Sequence, residues 1–539
     1  MQETNAPRND GATPPGGPSG TPAAKNPREI RVAGSNRVYD RNKLLLVLLV
    51  PLAMSLLQVS SVNVALSSMG EALSASDAQK QWVLSGYALA IGISLVPAGR
   101  LGDIFGRSGA FVTGLAVFTL ASLLVGISND PTQLNVLRIF QGIGAGIFSP
   151  QTTGLIQQYF VGPARARAFA LFGLVVAMSV AAGPLMSGAL ISAFGADVGW
   201  RASFLVNVPL GILGIVIALL WLPFGKERRT IGKRAKKVQA EYAASEAAAG
   251  REVVEPVKRE KREKVDLDPV GMTLLAAAVL GIMLPFMSHG SVWIWALVPT
   301  GLLLLGVWVW WENHYKKAGH FPMVDLALFK IRSFSYATAI ASIQFLGSTS
   351  MFVILAMFLQ EGDGVSAIKT ALVGLPNAVL SAYAALWAGK RAYAKGAWVQ
   401  MVALGVILTG ILGACVALWA FSNGASFWWL ALPLTIMGFG QGAMGSANQT
   451  VTMLEVPASH GGTAGGFSQT GQRIATAIGN AVITAVLFAA LGSNPTVEDW
   501  TRATMISYLV IAAIVSIAMV LAVRFWRTSK NPTAPVPAA

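Results

Sequence analysis

Gly99-Arg100-Leu101-Gly102-Asp103-Ile104-Phe105-Gly106-Arg107 is the stretch on which the fold of this chain turns. It lies between two apolar runs, 79–101 and 108–128, each long enough to cross a ~30 Å hydrocarbon layer, which takes about 20 residues. Its glycines permit a tight turn and a close approach of helices. Asp103 is placed to sit against a helix N-terminus in the opposite half of the molecule, and Arg100 and Arg107 to pair across the same face. The stretch reads as a polar hinge joining two membrane helices.

The rest of the chain repeats the apolar theme. It is 54% hydrophobic and only 12% charged, against about 25% charge in an ordinary soluble domain, so this composition suits a lipid-facing surface. Apolar spans are expected at about 43–66, 79–101, 108–128, 133–157, 166–190, 199–222, 269–288, 292–313, 334–359, 366–388, 396–420, 426–453, 468–492 and 502–525. That makes about fourteen, all helical, because lipid supplies no water to unpaired backbone groups. The fold class is therefore all-α integral membrane.

Basic residues fall before the first span and in every second loop: Arg28, Arg31, Arg37, Arg41 and Lys43; Arg100 and Arg107; Arg165 and Arg167; Lys226 to Lys264; Lys316 to Arg332; Lys390, Arg391 and Lys395; and Arg524 to Lys530. The alternate loops carry Asp77, Asp130, Asp197, Glu361, Asp363, Glu498 and Asp499. This pattern places both termini in the cytoplasm and the protein in the cell (plasma or inner) membrane. It also explains the net charge of +15 without nucleic acid as a partner. The expected organisation is a disordered tail (1–42), a six-helix bundle (43–222), a charged linker (223–268), two inserted helices (269–313), a loop (314–333), a second bundle (334–525) and a tail (526–539). Residues 1 to about 36 show no apolar periodicity and no signal-peptide pattern. The linker's bases can also meet anionic lipid headgroups.

No catalytic constellation is visible. The spans hold almost no acid, the single Cys415 and the scattered His289, His314, His320 and His460 make no metal set, and no nucleophile stands beside a base. No metal and no cofactor are expected, and an enzyme is disfavoured. The informative groups are costly ones: Arg138, about two turns into the fourth span, and Arg473, about one turn into the thirteenth. A cation there needs a cavity or a partner, although Arg473 lies near enough to the interface to snorkel. Asn63, Tyr87, Gln141, Gln344, Asn377 and Gln441 are candidate cavity contacts, with interhelical hydrogen bonding as the plain alternative. The tryptophans Trp293, Trp295, Trp308, Trp310 and Trp311 suit an interfacial belt.

Three blocks in order carry a resemblance: the opening stretch; Leu137-Arg138-Ile139-Phe140-Gln141-Gly142-Ile143-Gly144-Ala145-Gly146; and Gly183-Pro184-Leu185-Met186-Ser187-Gly188. They resemble the major facilitator superfamily, and within it the fourteen-spanner drug:proton antiporter branch. Val62 to Leu66, Trp82 with Tyr87, Trp200 to Gly211, Leu359-Gln360, Ser366 to Pro376, and Gly462 to Gly479 including Gln469 extend the match from about residue 43 to 525. The resemblance implies two six-helix bundles facing a central cavity, with two helices inserted between them and sites near the midplane. It implies multidrug-type export driven by the proton gradient, an antiporter signature at Gly183, Pro184 and Gly188, and a latch made by Asp103 and Arg107 that stabilises the outward-facing state.

The chain departs from that pattern in three places. The first-helix aspartate is replaced by Gln58, which cannot titrate near neutral pH; Ser179 and Ser187 stand where the branch favours glycine; and the second-half loop is Gly389-Lys390-Arg391 with no acid. Gln58 and Arg138 fall at similar depth, so the arginine is expected to face a neutral amide, a setting suited to anionic or zwitterionic amphiphiles. Glu312, Glu361, Asp363 and Glu455 are the nearest acids for coupling and read as solvated helix ends. Two transport readings stay open: a proton-coupled exporter of an amphipathic small molecule, and a lipid, glycolipid or metabolite exporter with weak or no coupling. Oligomeric state is open.

Overall fold

The computed structural model describes residues 29–31, 38–160, 162–224, 266–287, 292–492 and 495–530. The helices are α1 (Arg41–Ala72), α2 (Asp77–Phe105), α3 (Arg107–Gly126), α4 (Pro131–Tyr159), α5 (Pro163–Leu205), α6 (Asn207–Trp221), α7 (Pro269–Met287), α8 (Leu297–Lys317), α9 (Arg332–Ser348), α10 (Ser350–Met357), α11 (Ala367–Ser422), α12 (Ala431–Thr452), α13 (Gly461–Ala490) and α14 (Val497–Lys530).

Local chemistry sets the ends. Asp40, Ser76 and Asp130 cap α1, α2 and α4 through their side chains, and Ser76 forms a capping box with Gln79. α2 stops at Gly106, whose φ of 114° is open to glycine and strained for other residues. Prolines 51, 97, 150, 184, 285 and 376 lie inside helices and bend them.

In the first half, α1 packs on α5, α2 and α3 pack on α4, and α3 on α6; in the second, α11 packs on α12 and α14, and α9 on α13 and α14. The halves meet where α13 lies on α2 and α4, and where α5 lies on α11 and α12. The pair α7–α8 leans on α2 and α13. Leucines on the outer face of α6, such as Leu213, Leu219 and Leu220, are exposed, as lipid-facing positions must be. The chain is an all-helical, multi-pass membrane protein.

Several expectations change. Among the described residues ten helical runs are long and apolar enough to span a membrane, against about fourteen expected. One of them, Pro163–Trp221, is a 59-residue run bent at Gly195 (φ 82°), and another, Lys369–Ser422, is a 54-residue run bent at Lys395. α4 and α12 fall outside that set because glycine and polar residues dilute their hydropathy. The span expected at 334–359 is broken into α9, α10 and a π turn at Phe358–Gly362. The expected structureless tail contains two short antiparallel strands, Glu29–Arg31 and Val38–Asp40, where Ile30, Val38 and Tyr39 favour extended backbone. α14 continues to Lys530, past the expected end at 525. Most of the expected linker, 225–265, lies outside the described residues.

Candidate functional site

The α2–α3 junction carries a polar group through which the two halves bond. The Asp103 Oδ1 accepts from Arg107 Nε (2.9 Å) and Nη2 (2.6 Å) on its own half. Its carboxylate also takes the first turn of α13: Gly462 N donates at 3.1 Å, Thr463 N at 2.9 Å and Thr463 Oγ1 at 2.8 Å. An anion at a helix N-terminus meets both the free N–H groups and the positive end of the helix dipole. Arg107 donates onward to Gly154 O and Gln158 Oε1, both at 2.8 Å, and to Ala458 O at 2.5 Å. One ion pair thus ties α2, α4 and the start of α13, and both side chains are 4% exposed.

The glycines make that approach possible. A Cβ on Gly99 would lie 2.5 Å from the Gly462 carbonyl oxygen, and one on Gly102 would overlap the Gln151 amide. Arg100 does not join the Asp103 pair; it reaches the Phe321 carbonyl at 3.5 Å. Gln157 donates to the Met453 and Val456 carbonyls, Ser149 to Gln469 Oε1 (2.6 Å), and Thr470 to the Gly92 carbonyl (3.2 Å). These cross-half bonds run from the junction to about the middle of α2. In the second half, Arg391 folds back on its own helix, donating to the Trp387 carbonyl and lying 4.5 Å above the Trp387 ring.

Deeper in, Arg138 is 1% exposed. Its Nε donates to the Val83 carbonyl (3.0 Å) and its Nη1 to Gln141 Oε1 (2.5 Å), while Gln141 donates to Ser122 Oγ (2.7 Å). The guanidinium stacks over Tyr87 at 4.1 Å and faces Phe204 at 5.6 Å. Among the described residues no carboxylate pairs with it. Aromatic faces and amide dipoles take that place, and a desolvated cation–π contact contributes about 2 kcal/mol.

Gln58 is also buried, but it accepts from Asn207 Nδ2 (2.5 Å) rather than meeting Arg138. The neutral amide beside the arginine belongs to Gln141. Equal depth on two helices does not fix their rotation, and α1 turns Gln58 toward α6. Arg473, on α13, is half-buried and lies within electrostatic reach of Tyr87. Among the described residues it makes no hydrogen bond and no ion pair.

The remaining candidates separate into structural and open positions. Asn377 donates to the Leu434 carbonyl (2.7 Å) and pins α11 to α12. Gln344 is buried on α9, and Asn63 is exposed on α1. A Cβ on Gly183 would strike Ser60 Oγ and lie 2.8 Å from the Leu57 carbonyl, so this glycine lets α5 cross α1 closely; Pro184 sits beside it, and Gly188 faces open space. Ser187 pairs with Ser203 at 3.0 Å, using a hydroxyl where the branch pattern has glycine. Glu312 is buried rather than a solvated helix end, and Trp308 is buried rather than part of a surface belt. Asp268, which also proves buried, had a legible signal as an Asp-Pro helix start at Asp268-Pro269.

Two packed helical halves, a polar junction at one end and an acid-free pair of arginines within define a membrane transporter rather than an enzyme. The chain belongs to the Major Facilitator Superfamily, which it matches over residues 48–480 and 400–539. It is 29% identical over 485 residues to a probable actinorhodin transporter of Streptomyces coelicolor, covering 89% of this chain and 76% of that protein. It is 26% identical over 470 residues to a tetracenomycin C resistance and export protein of Streptomyces glaucescens, covering 86% and 78%. The proton:xylose symporter XylE has the same fold, with a TM-score of 0.62 at 13% identity over 90% of this chain and 95% of that one.

Proposed function

We propose that the protein is a secondary exporter that moves amphipathic anions out of the cytoplasm by alternating access and proton antiport. The observation that carries the substrate class is Arg473, half-buried near Tyr87 with no partner among the described residues. An uncompensated cation at that depth costs several kcal/mol, and an anionic substrate offsets that cost. Arg138, held by Tyr87 and Gln141, adds positive potential without needing to touch the substrate.

In this reading the two long bent runs each cross twice and α4 and α12 also cross, which gives the fourteen spans of the drug:proton antiporter branch. The junction then lies on the cytoplasmic side with both termini. The Asp103–Arg107 group acts as a latch that holds that side shut, and the cross-half bonds gathered there correspond to an outward-facing state. Export as the direction accords with the name of the tetracenomycin C relative. A second reading, a lipid, glycolipid or metabolite exporter without coupling, draws on Gln58: it is committed to Asn207 and carries no proton.

Energised everted membrane vesicles decide between the readings. Cations, organic anions and amphiphilic lipids are added in turn while the pH gradient is recorded, with Arg473→Ala and Arg138→Ala alongside. Anions that collapse the gradient in the unsubstituted protein, and not in Arg473→Ala, support the antiport reading. Substrate movement with the gradient untouched favours the second reading.

A further inference from the structure

A buried carboxyl pair lies apart from the central arginines, where α7 and α8 meet the junction. Asp268 caps α7 and is fully buried. Its carboxylate accepts from Gly271 N (2.9 Å), Trp311 Nε1 (2.8 Å) and Met323 N (3.2 Å), so both its oxygens are supplied with donors. Glu312, near the end of α8, is 1% exposed. Its Oε2 takes one long bond from Val324 N (3.4 Å), and its Oε1 takes none.

The two carboxyls converge on Gly271. A Cβ there would overlap Asp268 Oδ2 and lie 2.9 Å from Glu312 Oε1. The Trp308 indole N–H, one turn earlier on α8, is buried and approaches the Glu312 carboxyl without closing a hydrogen bond of good geometry. Its ring stacks on Phe467 of α13 and seals the pocket. Ionising both of two carboxyls buried together is strongly disfavoured. Asp268 has the donors, so Glu312 keeps the proton.

Among the described residues Arg100 is the cation in reach of both the pair and Asp103, while His460, just before α13, is in reach of Arg100, Asp103 and Asp325. From the segment before α7, Asp266 is pushed up by burial, but hydrogen bonds from Tyr315, Phe321 and Asp268 outweigh this and leave it below the usual carboxylate range. His320 lies 3.5 Å from Asp266, and Lys316 pairs with Asp325 at 2.7 Å. α13 presents apolar Phe467 and Ala477. From α2 comes Arg100, within electrostatic reach of Asp103, Asp266, Asp268 and Glu312 at once. Its Nε has no partner.

We propose that Glu312 is the proton carrier of this transporter and that Arg100 relays its state to the α2–α3 junction. When the Glu312 O–H gives its proton to water, the carboxylate left behind draws Arg100 toward it and away from Asp103. That pull acts on α2 beside Gly99, which packs against the Gly462 carbonyl of α13, and so loosens the contact between the halves. The assignment rests on the proton-antiport reading and supplies the acid that Gln58 lacks.

The test needs no transport substrate. In the full chain with Cys415→Ser and Thr153→Cys, an impermeant maleimide reports opening of the cross-half interface; rates are normalised to the denatured protein at each pH. Opening is expected to rise about tenfold from mildly acidic to alkaline pH, and E312Q, fixed in the neutral form, is expected to remove that rise. In infrared spectra at neutral pH, the carbonyl stretch of a protonated carboxyl is expected in the parent and missing in E312Q. A pH response or a carboxyl band that survives E312Q overturns the assignment of Glu312 while leaving antiport standing. A parent with no pH response overturns the assignment, while antiport stands or falls on the vesicle gradient measurement. If E312Q fails to fold, D268N serves: removing the neighbouring anion is expected to weaken the band at neutral pH, and an unchanged band counts against the pair.

Discussion

Asp103→Asn keeps the shape of the junction and removes its charge, so its effect can be worked out bond by bond. The two bonds from Arg107 lie within one half and survive when the halves part. The three from Gly462 and Thr463 exist only in the closed arrangement. A hydrogen bond to a charged group contributes about 1.5–3 kcal/mol net. Asparagine retains one acceptor oxygen, but its amide N–H groups turn toward N–H donors, so at least one donor on α13 loses its partner. The closed state alone then loses roughly 2–4 kcal/mol, a shift of about 30- to 1,000-fold in the closed-to-open ratio. Thr153 is fully buried beneath Gly465, and a cysteine there in the Cys415→Ser background reports that ratio. Maleimide labelling from the junction side is expected to rise by at least an order of magnitude in Asp103→Asn. A labelling rate within about twofold of the parent would mean that the Asp103 charge does not hold the halves together.

Other substitutions test separate parts of the account. Gly99→Ala places a Cβ 2.5 Å from the Gly462 carbonyl oxygen, so it should open the junction as Asp103→Asn does, with no change of charge, by the same labelling assay. Asn377→Ala removes one interhelical bond; a thermal melt in detergent should show a loss of about 0.6 kcal/mol, with transport retained. Gly183→Ala drives a Cβ into Ser60 Oγ and should lower the melting temperature more than Gly188→Ala, whose site is open. Arg473→Lys should retain part of the anion transport that Arg473→Ala loses, because a lysine keeps the charge but not the planar fork; initial uptake rates separate the two.

The junction was legible in the sequence because its information is local. Gly99, Gly102 and Asp103 share the last two turns of α2, Gly106 makes the break and Arg107 opens α3, and a buried anion there needs a helix N-terminus to face. A rise of about 1.5 Å per residue sets position along a helix, but rotation was not legible. Gln58 and Arg138 were expected to meet, but α1 turns Gln58 to Asn207 and α4 gives Arg138 to Tyr87 and Gln141. Glu312 and Trp308 were hidden for a related reason: along the chain one is a helix end and the other part of a tryptophan run, and only the packing of α7 and α8 on α2 and α13 buries them. The bends at Gly195 and Lys395, by contrast, fall where the apolar runs were expected to end, between 190 and 199 and between 388 and 396.

In the proposed function the protein accepts anions through Arg473. Everted vesicles from cells making the protein, energised and given either carboxyfluorescein or the cation ethidium, test it most directly by fluorescence of the trapped dye. The anion is expected to accumulate, and Arg473→Ala is expected to abolish that accumulation. Accumulation of ethidium alone, indifferent to Arg473, would contradict it.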